Sequence, residues 1–225
     1  MLDFEPFYLT LKLAATTTIV LFLIGVPLSY WLAFSSSRFK VVLEACVGLP
    51  LVLPPSVLGF YLLLAFSSEN SFGRFLDNYF DVRLAFSFPG LVIASVIYSL
   101  PFMIQPVQSG FSMIPRNLIE ASYTLGKSKT ATLRKVLLPN SKNALLTGCI
   151  LSFAHTIGEF GVVLMVGGNI PNETRVISVA IYDEVEAMNY HNANVYAGIL
   201  LGFSFLVLMI VYLLNHRMFK AHYQS

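Results

Sequence analysis

The sequence predicts an all-α integral membrane protein, and three observations support this fold class. Hydrophobic residues make up 56% of the 225-residue chain and charged residues only 12%, about half the charged share that is usual in soluble domains. The mean hydropathy is +0.71. The apolar residues gather in long runs without strict alternation of apolar and polar positions, which favours helices and excludes strands.

Five apolar runs are long enough to cross a bilayer, which takes about 20 residues in a helix. They predict a single membrane domain over residues 1–225, with its core at 9–214 and no internal repeat. No cleavable signal peptide is expected, because Asp3 and Glu5 stand where a basic segment would be needed. The predicted spans cover residues 11–34, 45–66, 88–108, 144–166 and 195–214.

The distribution of Lys and Arg predicts the orientation, because these residues favour cytoplasmic loops. Ten of the 14 basic residues fall after the first span, after the third span or in the C-terminal tail. The N-terminus is therefore predicted outside and the C-terminus inside, with a long cytoplasmic loop at 110–142 and a long external loop at 167–194. The four basic residues on the other side are Lys12, Arg74, Arg83 and Arg175.

The second span contains Pro54 and Pro55 near its middle. Proline disrupts a helix interior and drives the preceding residue out of the α conformation, yet it suits the first position of a helix. We therefore expect one helix to end within residues 49–53 and another to begin near Pro55. Non-helical backbone at that depth must be buried in protein or line a cavity.

The fourth span carries polar side chains on one helix face. A charged residue in mid-span is costly, which favours a functional role. The face either lines a path through the membrane or holds spans together by hydrogen bonds. For Glu159 we favour a structural role, with its carboxyl group paired, protonated or bonded to backbone beside Gly158 and Gly161. No metal site is expected, since His155 has no second ligand at suitable spacing except Glu159. The face comprises Ser152, His155, Thr156 and Glu159.

A short amphipathic helix is predicted in the cytoplasmic loop, starting near Pro115 and ending at Gly126. Its small and apolar face either lies on the membrane surface or docks into a groove of a partner protein. Docking is favoured, because Ala and Ser are poor membrane anchors and the face has no Trp or Phe. The face comprises Leu118, Ala121, Ser122 and Leu125.

The same loop resembles the EAA signature of permeases from binding-protein-dependent ABC importers. The matching residues are Glu120-Ala121-Ser122, Gly126 and Val136-Leu137-Leu138-Pro139. Ser122 stands for the second Ala and Val136 for Ile, and the spacing is kept. The resemblance implies a type I ABC importer permease fold in a bacterial plasma (inner) membrane. It assigns ATPase coupling to Arg116, Glu120, Ala121, Ser122 and Gly126.

The family resemblance also implies the partners of the chain. These are a second copy of itself, two cytoplasmic ATPase subunits, a soluble substrate-binding protein and the lipid bilayer, with no nucleic acid. The chain has no Gly-x-x-x-x-Gly-Lys-Ser/Thr phosphate loop. It is therefore expected to be no enzyme and to bind no cofactor, with ATP-Mg used by the ATPase subunits.

Several segments look like those of molybdate permeases, namely Leu53–Ser56, Gly158–Gly161, Met165–Arg175 and the acidic stretch Ile181–Glu186. The resemblance implies ATP-driven uptake of molybdate or tungstate by alternating access, with sulfate or thiosulfate as the alternative. Residues 174–187 are expected to form an external helix near the gate. The predicted pathway or gate residues are Pro54, Pro55, Ser56, Ser152, Thr156, Gly158, Glu159, Gly161, Gly168, Asn169 and Thr174.

For an oxyanion, the half-helix after the prolines is the most interesting element. Its N-terminal N–H groups at Ser56, Val57 and Leu58, with the Ser56 hydroxyl, would favour negative charge without a fixed cation. The alternative is a kink without contact to the substrate.

Two other function classes are less consistent with the sequence. An intramembrane enzyme would use Glu159 and His155 as acid and base, but no second catalytic carboxylate or nucleophile motif accompanies them. A secondary transporter would be expected to carry inverted repeats and coupling-ion carboxylates, and neither is visible.

Overall fold

A computed structural model describes residues 3–222, except for the side chains of residues 211 and 214–222. Arg217 and Lys220, which contribute to the predicted cytoplasmic charge, have their side chains outside the described part. The helices in chain order are α1 (Glu5–Phe34), α2 (Phe39–Val52), α3 (Pro55–Phe66), α4 (Ser71–Phe80), α5 (Phe88–Ser112), α6 (Arg116–Thr124), α7 (Lys129–Thr132), a π-helical turn (Leu133–Leu137), α8 (Leu138–Asn140), α9 (Lys142–Ile157), α10 (Gly161–Gly167), α11 (Ile177–Glu186) and α12 (Tyr190–His222).

The five predicted spans correspond to three continuous helices and two bent pairs. Helices α1 and α5, together with residues 190–210 of α12, are long and apolar enough to cross a membrane unbroken. Helices α2 and α3 pass the same test only together and are bent by 114°, whereas α9 and α10 are bent by 63°. The predicted break in the second span is therefore confirmed.

The first break arises from the two prolines, as expected. Leu53 is extended, with φ −74° and ψ 136°, and Pro54 caps the next helix with φ −54° and ψ 135°. Pro55 is the first residue of α3, where its missing N–H costs no hydrogen bond.

The second break was not expected, and the prediction of a continuous fourth span over 144–166 is wrong. Helix α9 ends at Ile157 with Gly158 as its C-cap, and Phe160 leaves the helical region with φ −127° and ψ −63°. The Ser178 hydroxyl of α11 donates to the Glu159 carbonyl over 2.6 Å. A side chain from the external segment thus satisfies backbone that the helix leaves free, which non-helical backbone at this depth requires.

Helix α5 lies at the centre of the bundle, where it packs against α1 and α9. One apolar cluster joins α1, α5 and the cytoplasmic loop, and it includes Met103, Val107, Phe111 and Leu137. A second cluster joins Phe66 of α3 to α5 and α10. The helices on either side of each break therefore pack against α5.

Two connecting helices differ from the sequence expectation. Helix α4, between the second and third spans, was not predicted. The external helix runs over Ile177–Glu186, which is shorter than the predicted 174–187. Residues 170–176 instead form turns, in which the Ile170 carbonyl accepts N–H bonds from Glu173, Thr174 and Arg175.

Candidate functional site

The two breaks face each other across one cleft, which has a volume of about 580 Å³. The N-terminal end of α3 forms one wall, and the junction of α9 and α10 forms the opposite wall. Two segments that lie about a hundred residues apart in the sequence are thus brought together. The lining residues are Pro55, Ser56, Tyr98, Ala154, His155, Gly158, Glu159, Phe160 and Gly161.

Close contact between α3 and α10 depends on two glycines. A Cβ atom added to Gly161 would lie 2.8 Å from the Pro55 Cβ, and one added to Gly59 would lie 2.8 Å from the Met165 Cβ. Real Cβ atoms do not approach this closely, so neither position accepts a side chain without movement. The α3 N-terminus is therefore fixed against the second break.

The N-terminus of α3 offers fewer free donors than the sequence suggested. The N–H groups of Val57 and Leu58 both donate to the Pro54 carbonyl, at 2.9 and 3.2 Å. The expectation that they face the pathway as free donors is therefore wrong. Ser56 keeps the only N–H of this turn that has no acceptor within the described residues, and its hydroxyl lies in the same cleft wall.

His155 is held by a chain of hydrogen bonds and by two aromatic rings. Its Nδ1 lies 2.9 Å from the Ser99 Oγ, which lies 3.1 Å from the Thr156 Oγ1, and Thr156 donates to the Ser152 carbonyl. Each hydroxyl has one proton, so all three bonds form only if Nδ1–H donates to Ser99 and Ser99 donates to Thr156. Phe102 stacks on the imidazole at a centroid distance of 4.0 Å.

This hydrogen-bond chain assigns the neutral His155 ring to the Nδ1–H tautomer. Its Nε2 is then an acceptor and provides no second N–H for an anion. Ser99 and Thr156 are both buried, so the chain fixes the imidazole from inside the bundle.

Glu159 is 3% exposed and lines the cleft. Within the described residues neither carboxylate oxygen has a hydrogen-bond partner, although the Ser95 hydroxyl lies close by. The expected pairing or backbone bonding of this carboxyl group is therefore not seen there. Only its backbone is tied, through the bond from Ser178.

The remaining predicted pathway residues lie outside the cleft. Ser152 and Thr156 are buried, and Pro54 caps α3. Thr174 is fully buried, donates to the Gly167 carbonyl over 2.7 Å and accepts from the Ile170 N–H. Gly168 has φ +62°, a conformation that suits glycine.

Asn169 belongs to the same external turn. Its amide donates to Asp183, which also pairs with Arg175 at 3.2 Å. Nearby on α11, a hydrogen bond from the Tyr182 hydroxyl to Glu186 raises the pKa of Tyr182. Polar contacts thus hold the external turn onto α11.

Helix α6 is the predicted short helix of the cytoplasmic loop. It starts after Pro115, and Gly126 ends it with φ +72°. No atom of the described residues lies within 4 Å of a Cβ added to Gly126, so glycine is needed there for its backbone conformation. Arg116 and Glu120 are exposed and line a cavity between α6 and the end of α1.

The predicted docking face of α6 is only partly available. Leu118, Ala121 and Leu125 are exposed. Ser122 is buried instead, and its hydroxyl lies 2.9 Å from that of Thr132. Ser122 therefore attaches α6 to the following helix and is not part of the exposed face.

The end of the EAA-like segment fixes this loop to the membrane bundle. Leu137 is 2% exposed and packs with Val107, Phe111 and Ile114. The turn over Leu133–Leu137 is π-helical, and the Leu138 N–H bonds to the Leu133 carbonyl. Such turns inside α-helices are often found at functional sites. Leu137 thus packs the end of this loop against α5.

A family model described as "binding-protein-dependent transport system inner membrane component" matches residues 25–223. The chain belongs to this family. The assignment as a membrane-spanning transport permease is therefore confirmed.

The permease is 47% identical over 219 residues to the molybdenum transport system permease protein ModB of Azotobacter vinelandii, covering 97% of this chain and 96% of the relative. It is 34% identical to the sulfate transport system permease protein CysT of Salmonella typhimurium, covering 79% and 64%. In fold it resembles the solved MetNI methionine ABC transporter, with a TM-score of 0.73, 17% identity and 93% of each chain covered. The type I importer fold is thus confirmed.

Sequence reasoning missed the contribution of α5 to the site. Tyr98 and Phe102 enclose His155, and Ser99 orients it. A usable signal was present, because Ser95 and Ser99 recur at i and i+4 within an apolar span and so share one helix face.

Proposed function

We propose that the permease imports molybdate, or the similar oxyanion tungstate, as the membrane-spanning subunit of an ATP-driven transporter. The observation that carries this proposal is the end-to-end similarity to the molybdenum permease of Azotobacter vinelandii. Similarity to the sulfate permease is weaker and covers less of both proteins, so sulfate is the less favoured substrate.

The chemistry of the cleft is compatible with a small oxyanion. Among the described residues its lining contains no Lys or Arg, so no fixed cation there would hold a dianion too strongly to release it. Ser56 supplies an N–H and a hydroxyl at the start of α3, where the helix dipole is positive. We propose that Ser56 is the main polar contact for the anion as it passes.

Glu159 restricts how the anion passes. An ionised carboxylate in the same cleft would repel a dianion. We propose that Glu159 does not contact the substrate directly and that its backbone carbonyl, which accepts the Ser178 hydroxyl, helps to hold the second break. Because Glu159 lies on the wall opposite the α3 N-terminus, we propose that the anion passes on the Ser56 side.

The proposed assembly contains two copies of this chain. Five spans supply half of a pathway, and the cleft would be closed on its open side by the second copy. Two ATPase subunits would bind the cytoplasmic loops through the exposed face of α6, and a substrate-loaded binding protein would dock outside. ATP-Mg would be bound by the ATPase subunits.

Alternating access would act through the two breaks. Helices α3 and α10 pack on each other and both contact α5, so a shift of α5 would reach both breaks. We propose that this pair forms the gate and that α6 drives it through the packing of Leu137 on α5.

ATP hydrolysis by the assembled complex tests the substrate assignment. Binding protein loaded with molybdate is expected to stimulate hydrolysis, whereas the same complex with sulfate should stay near its basal rate. Stimulation by sulfate but not by molybdate would contradict the proposal.

A further inference from the structure

Helix α4 has two chemically different sides. At 100° per residue, its aromatic residues and Leu76 occupy one continuous arc, and its polar residues occupy the rest. The polar side consists of Ser71, Arg74, Asp77 and Asn78. We call Phe72, Phe75, Tyr79 and Phe80 the aromatic face.

The aromatic face is open. Phe72 and Phe75 are about half exposed, and Tyr79 and Phe80 are 76% and 62% exposed. A contiguous patch of large apolar side chains usually marks a surface that another molecule or a membrane covers.

Packing places α4 at the outer end of the second span. A Cβ atom added to Gly73 would lie 2.2 Å from the Ser67 carbonyl oxygen, so α4 rests directly on the last residues of α3. Leu76 joins the apolar cluster of Phe66, Leu84 and Ala94. The helix is therefore level with the ends of α3 and α5, where a membrane-spanning segment meets the bilayer surface.

The polar side of α4 is occupied by contacts with the connecting segments. Asp77 accepts a hydrogen bond from the Ser68 hydroxyl at 3.1 Å and pairs with Arg83 at 3.2 Å. Arg74 donates to the Glu69 carbonyl over 3.0 Å. These contacts hold the polar side of α4 against the segments that precede and follow it. The aromatic face lies on the other side of the helix.

Helix α3, on which α4 rests, also carries exposed apolar side chains. Phe60, Tyr61 and Leu64 of α3 are also exposed. We propose that α4 lies in the interfacial layer of the bilayer, with the aromatic face turned toward the acyl chains. Phe and Tyr are typical residues at that depth, and amphipathic helices of this kind lie in the interface plane.

This placement gives α4 a mechanical role. The outer end of α3 is anchored to the lipid through α4, while its inner end carries Ser56 in the cleft. The bilayer surface then serves as a fixed support for the half-helix that forms one wall of the site.

Tryptophan fluorescence in vesicles tests the proposal with the full-length chain. The single tryptophan of the sequence is first removed by the substitution Trp31→Phe. Tyr79→Trp and Phe72→Trp then report from the aromatic face, and Asn78→Trp is the matched control on the polar side. Phosphatidylcholine brominated near the headgroup should quench both reporters about twofold more than the control, as expected for an aromatic residue in the interfacial layer.

Equal quenching of reporters and control, or no quenching at all, would overturn the proposal. A second copy covering the face would also overturn it, and this outcome is distinguishable. A photocrosslinker at position 79 would then link two copies, and both reporters would escape the brominated lipid.

Discussion

At the residue scale, the site depends on contacts that leave no room for a side chain. Gly161 is the clearest case, because the Pro55 ring fixes the nearest atom and cannot move aside as a flexible side chain would. Gly158 lies three residues earlier in the same break, and no atom of the described part of the chain lies closer than 3.8 Å to its added Cβ.

Gly161→Ala is therefore expected to destabilise the permease by about 1–3 kcal/mol, the usual cost of overpacking, and to reduce transport. Gly158→Ala is the matched control and should change neither property much. Thermal unfolding in detergent and uptake assays measure both effects. Equal behaviour of the two variants would show that the contact between the breaks is unimportant.

Ser56 carries the second prediction at this scale. Ser56→Cys should react with a small aqueous thiol reagent in at least one nucleotide state, because the residue lines the cleft. Ser152→Cys, at a fully buried position, should stay unlabelled. Background labelling is removed by replacing Cys46 and Cys149. Failure of Ser56→Cys to react in any state would leave the prolines with a hinge role only.

Individual residues were predicted with mixed success, and the reason is physical. Pro54 and Pro55 were correctly identified as a break, because proline acts through its own ring and needs no information about neighbours. Ser122 was wrongly predicted to lie on the docking face, because its hydrogen-bond partner Thr132 belongs to another helix. The N–H groups of Val57 and Leu58 were wrongly predicted to be free, because both donate to the Pro54 carbonyl.

At the element scale, α6 is the part that we propose links the membrane bundle to a cytoplasmic partner. Its length, its start and its glycine stop followed from the sequence. The EAA-like residues divide into two groups in the structure. Glu120 is exposed beside Arg116, while Ser122 and Leu137 hold the loop in place.

Glu120→Lys is expected to leave membrane insertion and ATP hydrolysis intact but to abolish uptake, because it reverses a charge on the surface proposed to face the ATPase. Glu69→Lys, the same change on the opposite side of the membrane, should leave coupling unaffected. Hydrolysis and uptake are measured in the same proteoliposomes. Normal uptake by Glu120→Lys would refute the coupling role of α6.

Elements with strong local signals were predictable, and those that depend on tertiary contacts were not. The break at Gly158–Phe160 lies in an apolar run, and its backbone is satisfied by Ser178 from a distant segment. Helix α4 was missed because it is short and lies between two spans. Its Asn70 cap and spaced aromatic residues were nevertheless visible in the sequence.

At the scale of the whole molecule, the fold was predictable because a bilayer imposes long apolar helices and an asymmetric charge distribution. The meeting of the two breaks was not, since nothing in either segment identifies the other. It is this meeting that gives the permease one cleft with Ser56 on one wall and Glu159 on the other.

Uptake by the complete complex tests the central claim most directly. Proteoliposomes carrying the permease, its ATPase and the binding protein are supplied with ATP and with labelled molybdate or labelled sulfate. Vanadate-sensitive accumulation of molybdate, with little accumulation of sulfate, is the predicted result. Equal accumulation of both anions, or molybdate uptake that vanadate does not inhibit, would contradict it.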